Sequence, residues 1–293
     1  MSHFNFRGEL ANLTDQHSSN INGHLLIDSE WLEEHKNHQD IILLDARAKN
    51  YEVSHIPGAY WLDVKELKEH TQKTIVHKEK LEKLLEGFGI TNESTIVIYD
   101  EGSNVLATRA FYVLEYYGLR DQLKLLNGGF AVWIAEGYEV SSNLPSPRTE
   151  GSISLTANPF LITSKEDLQD GLQNAILLDT RNILEYTGED KRANRRGGRI
   201  PGAIHKEWSD ALQEVDENGV TRFKNPSALT KEFLEAGVQP SKTIIPYCQS
   251  NQRGAHTYFV LRLIGYPDIR PYEGSWDEWG NDEFTEIELF SKS

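Results

Sequence analysis

The sequence predicts an α/β protein that contains two copies of one domain. Short apolar runs typical of buried strands alternate with segments of helical period, a pattern that indicates a mostly parallel sheet flanked by helices. The order of these elements in the first half of the chain recurs in the second half, and a repeat of this length implies a duplicated domain. The 293 residues are enough for two domains of ordinary size.

The first half provides the pattern that the second half repeats. Buried strands are predicted at 41–47, 95–99 and 123–126, and helices at 78–88, 104–117 and 130–136. Turns separate them at 54–59, which contains Ile-Pro-Gly-Ala, and at 127–130, which contains Gly-Gly. The matching segments of the second half are 176–181, 198–203, 243–247 and 273–279. In both halves the first strand ends in Asp-x-Arg, at Asp45 and at Asp179.

Composition shifts predict the domain boundaries. The assigned segments are an N-terminal arm at 1–21, a first domain at 22–140, a linker at 141–159, a second domain at 160–283 and a C-terminal tail at 284–293. The arm has no hydrophobic periodicity, so we expect a loose strap. The linker is rich in Ser, Pro and Asn, which favours an extended connection over a packed element.

Cys248 is the only cysteine in the chain, and its position predicts chemistry. It follows the buried strand 243–247 and precedes a polar loop, after which 254–263 is predicted to be a helix. The first N–H groups of a helix lack acceptors and carry partial positive charge, so a thiol beside them ionises more easily. A lone cysteine is often a small buried hydrophobe. The polar residues that follow it favour a reactive position at the end of the strand.

The two copies differ at this position, because Asp100 stands where the second copy has Cys248. The first copy therefore lacks a sulfur nucleophile, and we expect it to be a structural partner whose surface forms one wall of the site. Trp133, Trp276 and Trp279 follow the Gly-rich turns, where core packing is favoured over a role as substrate platforms.

Whole-chain numbers exclude some classes of partner. The net charge is −15, from 30 basic and 45 acidic residues, which argues against binding to nucleic acid. No apolar run is long enough for a transmembrane helix, and the first residues lack the basic start and apolar core of a secretory signal. An unpaired thiol suits a reducing compartment, so we expect a cytoplasmic protein without membrane contact.

These motifs together resemble the two-domain rhodanese family of sulfurtransferases. The carriers of the resemblance are the duplication, the Asp-x-Arg strands, the Ile-Pro-Gly-Ala turns and a strand–Cys–loop–helix unit in the second copy only, over about residues 22–282. The resemblance implies a five-stranded, mostly parallel sheet in each of two tandem domains and an inactive first copy. It implies transfer of sulfur from thiosulfate to cyanide, a thiol or a protein thiol through a persulfide on Cys248, without a metal or organic cofactor.

The resemblance also implies roles for residues around Cys248. The loop expected to hold the negative persulfide consists of Gln249, Ser250, Asn251, Gln252 and Arg253. It resembles the bacterial thiosulfate type, Cys-Gln-x-x-x-Arg, in which Arg253 would pair with a sulfonate-like group. Members that use mercaptopyruvate typically carry small residues after the cysteine, and that donor remains the alternative.

Four other positions are candidate site residues. Arg199 replaces the turn histidine that survives as His55 in the first copy, and it either supplies anion-binding charge or faces solvent. Trp208 aligns with a pocket aromatic of related bacterial members, or it packs in the core. Asp179 and Arg181 are expected to be structural, with Arg181 on a neighbouring carboxylate or loop carbonyl. Glu185 stands where vertebrate members have an arginine.

Two rival classes remain open at this stage. Dual-specificity phosphatases of the same fold also use a cysteine thiolate, but they need five residues between Cys and Arg to surround a phosphate. This chain has four, Gln249 to Gln252, so the loop suits sulfur better. A non-catalytic docking or sulfur-relay module is the other class, and the intact cysteine loop argues against a module without chemistry.

Overall fold

The first copy is a five-stranded parallel sheet with helices on both faces. The computed structural model describes residues 21–69, 71, 73–146 and 148–289. The sheet has the order β1-β7-β6-β2-β3, with β1 Leu26–Ile27, β2 Ile41–Asp45, β3 Tyr60–Trp61, β6 Thr95–Tyr99 and β7 Leu123–Leu126. A two-stranded antiparallel hairpin, β4 Lys68–Glu69 and β5 Thr74–Ile75, lies outside it. The helices are α1 Ser29–His35, α2 Lys78–Gly87, α3 Val105–Tyr116 and α4 Gly129–Ala135.

The second copy repeats this topology with a smaller sheet. Its strands are β8 Ala175–Asp179, β9 Ile204–His205 and β10 Thr243–Tyr247, in the order β10-β8-β9. Two further segments correspond to β7 and β1 of the first sheet. Each is joined by a single parallel bridge, Ile244 to Ile269 and Thr163 to Tyr272. The helices are α5 Lys165–Gln169, α6 Ile183–Thr187, α7 Pro226–Glu235, α8 Gln252–Leu263 and α9 Ser275–Trp279.

The predicted fold class is confirmed, and the strand and helix limits differ by a few residues. The strands predicted at 95–99, 123–126 and 243–247 have the predicted limits. The helix predicted at 254–263 begins earlier, at Gln252, because Asn251 adopts the left-handed conformation that turns the chain into the helix. The second sheet has three strands where five were predicted, because single bridges replace the two further strands.

The same side-chain hydrogen bond joins the two central strands in each copy. The last residue of the first strand stands opposite a tyrosine of its neighbour, Asp45 opposite Tyr99 and Asp179 opposite Tyr247. Each tyrosine hydroxyl donates to its carboxylate, at 3.0 Å in the first copy and 2.8 Å in the second. This hydrogen bond fixes the register of the two strands one residue before Asp100 or Cys248.

Helices α3 and α8 pack against each other and join the copies. Phe111 meets Phe259 edge to face with ring centroids 5.0 Å apart, and Tyr112 meets Tyr258 in the same way at 5.0 Å. The largest buried apolar cluster contains residues of both copies. Because α3 and α8 each follow the loop at the carboxyl end of a central strand, their packing brings the Cys248 loop to the interface between the copies.

The segment predicted to be a linker runs extended along the first copy. Ser141 forms a bridge with His55, the Gly151 N–H donates to the Glu86 carbonyl, and Leu155 is fully buried. The expected arm lies outside the described residues except for Ile21, and so do the last four residues of the expected tail. Within the described ranges, no helix combines the length and the apolar character that crossing a membrane requires.

Candidate active site

Cys248 lies at the end of β10 with its side chain almost fully buried. Its backbone N–H donates to the Ser275 hydroxyl at 3.3 Å, and its carbonyl accepts from the Trp276 N–H at 3.0 Å. Ser275 and Trp276 begin α9, so the short helix after the Glu-Gly-Ser turn fixes the cysteine backbone. The thiol is thereby held at the bottom of the loop that leads into α8.

We call the backbone N–H groups of residues 249–254, in the loop after Cys248, the N–H arc. Asn251 has φ 58°, and α8 begins at the next residue. Outside the helical ladder, the N–H groups of residues 249–254 donate to no oxygen or nitrogen of the described part of the chain. Free N–H groups at a helix start favour an anion, so this arc suits a thiolate or a persulfide.

The first copy shows what such an arc binds, because its own loop holds the Asp100 carboxylate. The carboxylate accepts from the N–H groups of Gly102, Asn104, Leu106 and Ala107 at 2.9 to 3.2 Å. Burial raises the pKa of Asp100 to about 6, so the group is still ionised at neutral pH. The corresponding loop of the second copy is one residue shorter, but it also enters its helix through a left-handed asparagine, and it has sulfur where the first copy has the carboxylate.

Arg253 is paired with a buried carboxylate. Its guanidinium donates to the two Glu185 oxygens at 2.7 and 3.0 Å. The sequence predicts that this guanidinium binds the sulfur donor, whereas in the structure two of its nitrogens donate hydrogen bonds to Glu185. Burial acts to lower the pKa of Arg253, but Glu185 and the negative charge at Cys248 raise it overall.

A capping box places Glu185 beneath the loop. Asn182 and Glu185 exchange hydrogen bonds at the start of α6, which aims the carboxylate at Arg253. Arg192 Nε lies 3.1 Å from the same carboxylate. Burial acts to raise the pKa of Glu185, and Arg253 and Arg192 lower it overall, so the carboxylate is charged at neutral pH. Its charge offsets that of Arg253.

The other predicted loop residues divide between anchoring and lining the site. The Gln249 and Asn194 side chains exchange two hydrogen bonds at 2.9 and 3.0 Å. Asn251 donates to Glu273 at 2.7 Å. Ser250 and Gln252 line a cavity of about 120 Å³ between the loop and the first copy.

Asp179 and Arg181 form a buried pair below the loop. Arg181 donates to both Asp179 oxygens and to the Gly198 carbonyl, and it lies 4.4 Å from the Trp276 ring centroid. Asp45 and Arg47 repeat the pair in the first copy, where no cysteine is present. This repetition favours a structural role for Asp179 and Arg181.

The structure does not bring Arg199 and Trp208 to the loop. Arg199 forms an ion pair with Glu288 and lies over the Tyr186 ring, so its charge is balanced by the C-terminal segment. Trp208 lies in a 3-10 helix, Trp208–Ala211, with its ring edge to face with His256 of α8. These contacts favour a packing role for each residue, with partners from segments that the motifs do not include, and the substrate roles stay predictions.

Sequence reasoning missed the residues that the first copy contributes. Arg109 of α3 donates to both Glu273 oxygens at 2.7 and 2.6 Å, and Lys68 Nζ donates to the Ser250 carbonyl at 3.1 Å. An arginine inside the apolar run of α3 was a signal for a buried pair, whereas nothing in the sequence marks Lys68. The expected wall from the first copy therefore carries charge.

His256 predicts how stability responds to acid. It is fully buried on α8 between Trp208 and Phe223, and burial lowers its pKa to about 3. Because the folded protein resists protonation here, stability should fall as pH drops below 6.5. Between pH 7 and pH 5, the unfolding free energy of the wild type should fall by about 2 kcal/mol more than that of His256→Gln. Urea titrations at the two pH values measure this difference. An equal loss in both proteins would contradict this, and His24→Gln, at an exposed position, is the control.

The comparisons identify the family. The sequence profile described as "Rhodanese-like domain" matches residues 28–136 and 164–282. The chain belongs to the rhodanese family. The duplicated rhodanese fold expected from the motifs is thus confirmed, with one domain for each copy of the repeat.

Curated relatives span nearly the whole length of this rhodanese. It is 33% identical to the thiosulfate sulfurtransferase of Azotobacter vinelandii over 271 residues, which are 90% of this chain and 97% of the relative. It is 32% identical to the sulfur carrier protein TtuD of Thermus thermophilus over 276 residues, 88% of this chain and 94% of the relative. These similarities support a sulfur-transfer role, with a sulfur donor and an acceptor.

A solved structure shows the same fold in another setting. The anaerobic ergothioneine biosynthesis enzyme from Chlorobium limicola, in complex with trimethyl histidine, superposes with a TM-score of 0.81 at 24% identity. The match covers 92% of this chain and 72% of that chain. At this identity the likeness concerns the fold.

Proposed function

We propose that this rhodanese is a thiosulfate sulfurtransferase that carries sulfane sulfur on Cys248. The observation that supports this most is the single thiol directly before the N–H arc, since the counterpart of this loop in the first copy binds a carboxylate with four N–H groups. The arc stabilises negative charge on the sulfur without any reorganisation, which favours both the thiolate and the persulfide.

The reaction proceeds in two displacements. The Cys248 thiolate attacks the outer sulfur of thiosulfate, a new S–S bond forms, and the S–S bond of thiosulfate breaks with its electron pair on the departing sulfite. Cyanide, a small thiol or a protein thiol then attacks the outer sulfur of the persulfide, and the electron pair of the broken S–S bond returns to Cys248. No net oxidant is needed, and the kinetics are ping-pong.

The loop chemistry favours thiosulfate over mercaptopyruvate. Gln249, Ser250, Asn251 and Gln252 are polar, in contrast to the small residues typical of loops that use mercaptopyruvate. We place the reaction in the cytoplasm, because a protein whose only cysteine must stay reduced between turnovers suits a reducing compartment.

Intact mass spectrometry tests the proposal on the untreated protein, after thiosulfate and then after cyanide. We expect a gain of one sulfur atom with thiosulfate and its complete loss with cyanide. A gain with mercaptopyruvate but not with thiosulfate would replace the donor. A protein that gains no sulfur from either donor would contradict the persulfide cycle.

A further inference from the structure

Charged side chains of both copies surround the Cys248 loop. The Arg253 guanidinium is paired with the Glu185 carboxylate, and Arg192 is paired with the same carboxylate. Two further carboxylates lie close to the loop. Both oxygens of Glu273 accept from Arg109 of the first copy, and Asp277 Oδ2 lies 3.0 Å from Lys73 Nζ. Each of these three carboxylates is therefore already paired with at least one cation.

Lys68 adds a further positive charge at this place. Its ammonium lies 3.7 Å from Glu273 Oε1, and its side chain is only 12% exposed. Burial lowers the pKa of Lys68 and Arg109 acts in the same direction, whereas Glu273, Cys248 and Asp277 oppose the shift. The ammonium thus lies within the electrostatic influence of the sulfur.

The position of Lys68 suits contact with a molecule that enters the site. It begins the hairpin strand β4 and lines the cavity of about 120 Å³. The other lining residues are Val64, Lys65, Arg109, Ser250, Gln252 and Asp277, so the cations outnumber the one carboxylate. An ammonium has three N–H donors, of which one is given to the Ser250 carbonyl and one points towards Glu273. The third donor is available to an anion in the cavity.

We propose that Lys68, from the copy that lacks the cysteine, binds the anionic group of the sulfur donor while its outer sulfur reaches Cys248. The active site is then shared between the copies, and the first copy supplies the donor-binding cation in place of Arg253. This inference rests on the proposed function only where it names thiosulfate as the donor.

Alkylation of Cys248 tests the anion subsite without any assumption about the donor. Because Cys248 is the only cysteine, iodoacetamide and iodoacetate both report on this one thiol. The two reagents meet the same thiolate, so the ratio of their rates cancels changes in ionisation and isolates the attraction for the negative reagent. We expect Lys68→Gln to lower the ratio of iodoacetate to iodoacetamide rates about tenfold.

Two variants control this measurement. Lys68→Arg keeps the charge and should restore most of the ratio, whereas a general disturbance of the fold would not be rescued. Lys80→Gln removes an exposed lysine of the same copy, which is paired with Glu66, and should leave the ratio unchanged. An unchanged ratio in Lys68→Gln would overturn the inference.

Thiosulfate kinetics separate this inference from the proposed function. If thiosulfate is the donor, Lys68→Gln should lower kcat/KM for persulfide formation about tenfold. A wild type that takes no sulfur from thiosulfate, with a ratio that still falls in Lys68→Gln, would refute the donor and support the subsite. Sulfur transfer from thiosulfate that is equal in wild type and Lys68→Gln would refute the subsite alone.

Discussion

Cys248→Ser is expected to abolish sulfur transfer while the protein stays folded. A serine hydroxyl cannot form the persulfide, so turnover of thiosulfate with cyanide should fall by at least about 10³-fold, as is usual when a covalent nucleophile is lost. Steady-state thiocyanate production measures this, and intact mass spectrometry should show no gain of sulfur in the variant.

The same variant separates binding from chemistry. Serine is close to cysteine in size, and the N–H arc can hydrogen-bond its hydroxyl, so the unfolding free energy should change by about 1 kcal/mol or less. Calorimetric titration should show that Cys248→Ser still binds thiosulfate. Turnover that persists in a folded Cys248→Ser protein would show that another group carries the sulfur.

The local part of the site follows from the sequence because strand, loop and helix are contiguous. The apolar run 243–247 ends at Cys248, and the polar residues after it have no place in a core, so the sulfur is predicted at a strand end next to a helix start. The repeat is also local, since each copy carries the whole Asp-x-Arg, turn, strand and helix series. Periodicity alone is sufficient for these elements.

The charge partners across the site could not be predicted in the same way. Arg109 and Glu273 are 164 residues apart, and Lys68 and Ser250 are 182 apart, so each contact depends on how α3 packs on α8. A family motif gave Arg253 a substrate role, but its partner Glu185 is fixed by a capping box in another segment. Motifs identify residue types near a site, whereas tertiary packing decides which charges are already paired.

The buried pair between Arg109 and Glu273 is expected to give the largest stability effect in the chain. Both side chains are almost fully buried, and Glu273 Oε2 also accepts from Asn251, the residue that turns the loop into α8. Glu273→Gln removes the charge and leaves the Arg109 guanidinium buried without its counterion. We expect a loss of about 3 to 5 kcal/mol in unfolding free energy, measured by urea titration.

A double variant shows whether the pair stabilises the fold or positions the loop. Arg109→Met with Glu273→Leu replaces two buried charges by apolar groups, so most of the lost stability should return. Sulfur transfer should stay low, because Asn251 then lacks its acceptor and the N–H arc loses a fixed start. Recovery of both stability and kcat/KM in the double variant would mean that the pair only links the two copies. A loss below about 1 kcal/mol in the single variant Glu273→Gln would mean that water reaches the guanidinium. Low activity in a stable double variant would instead show that the copy without a cysteine holds the catalytic loop of the other in place.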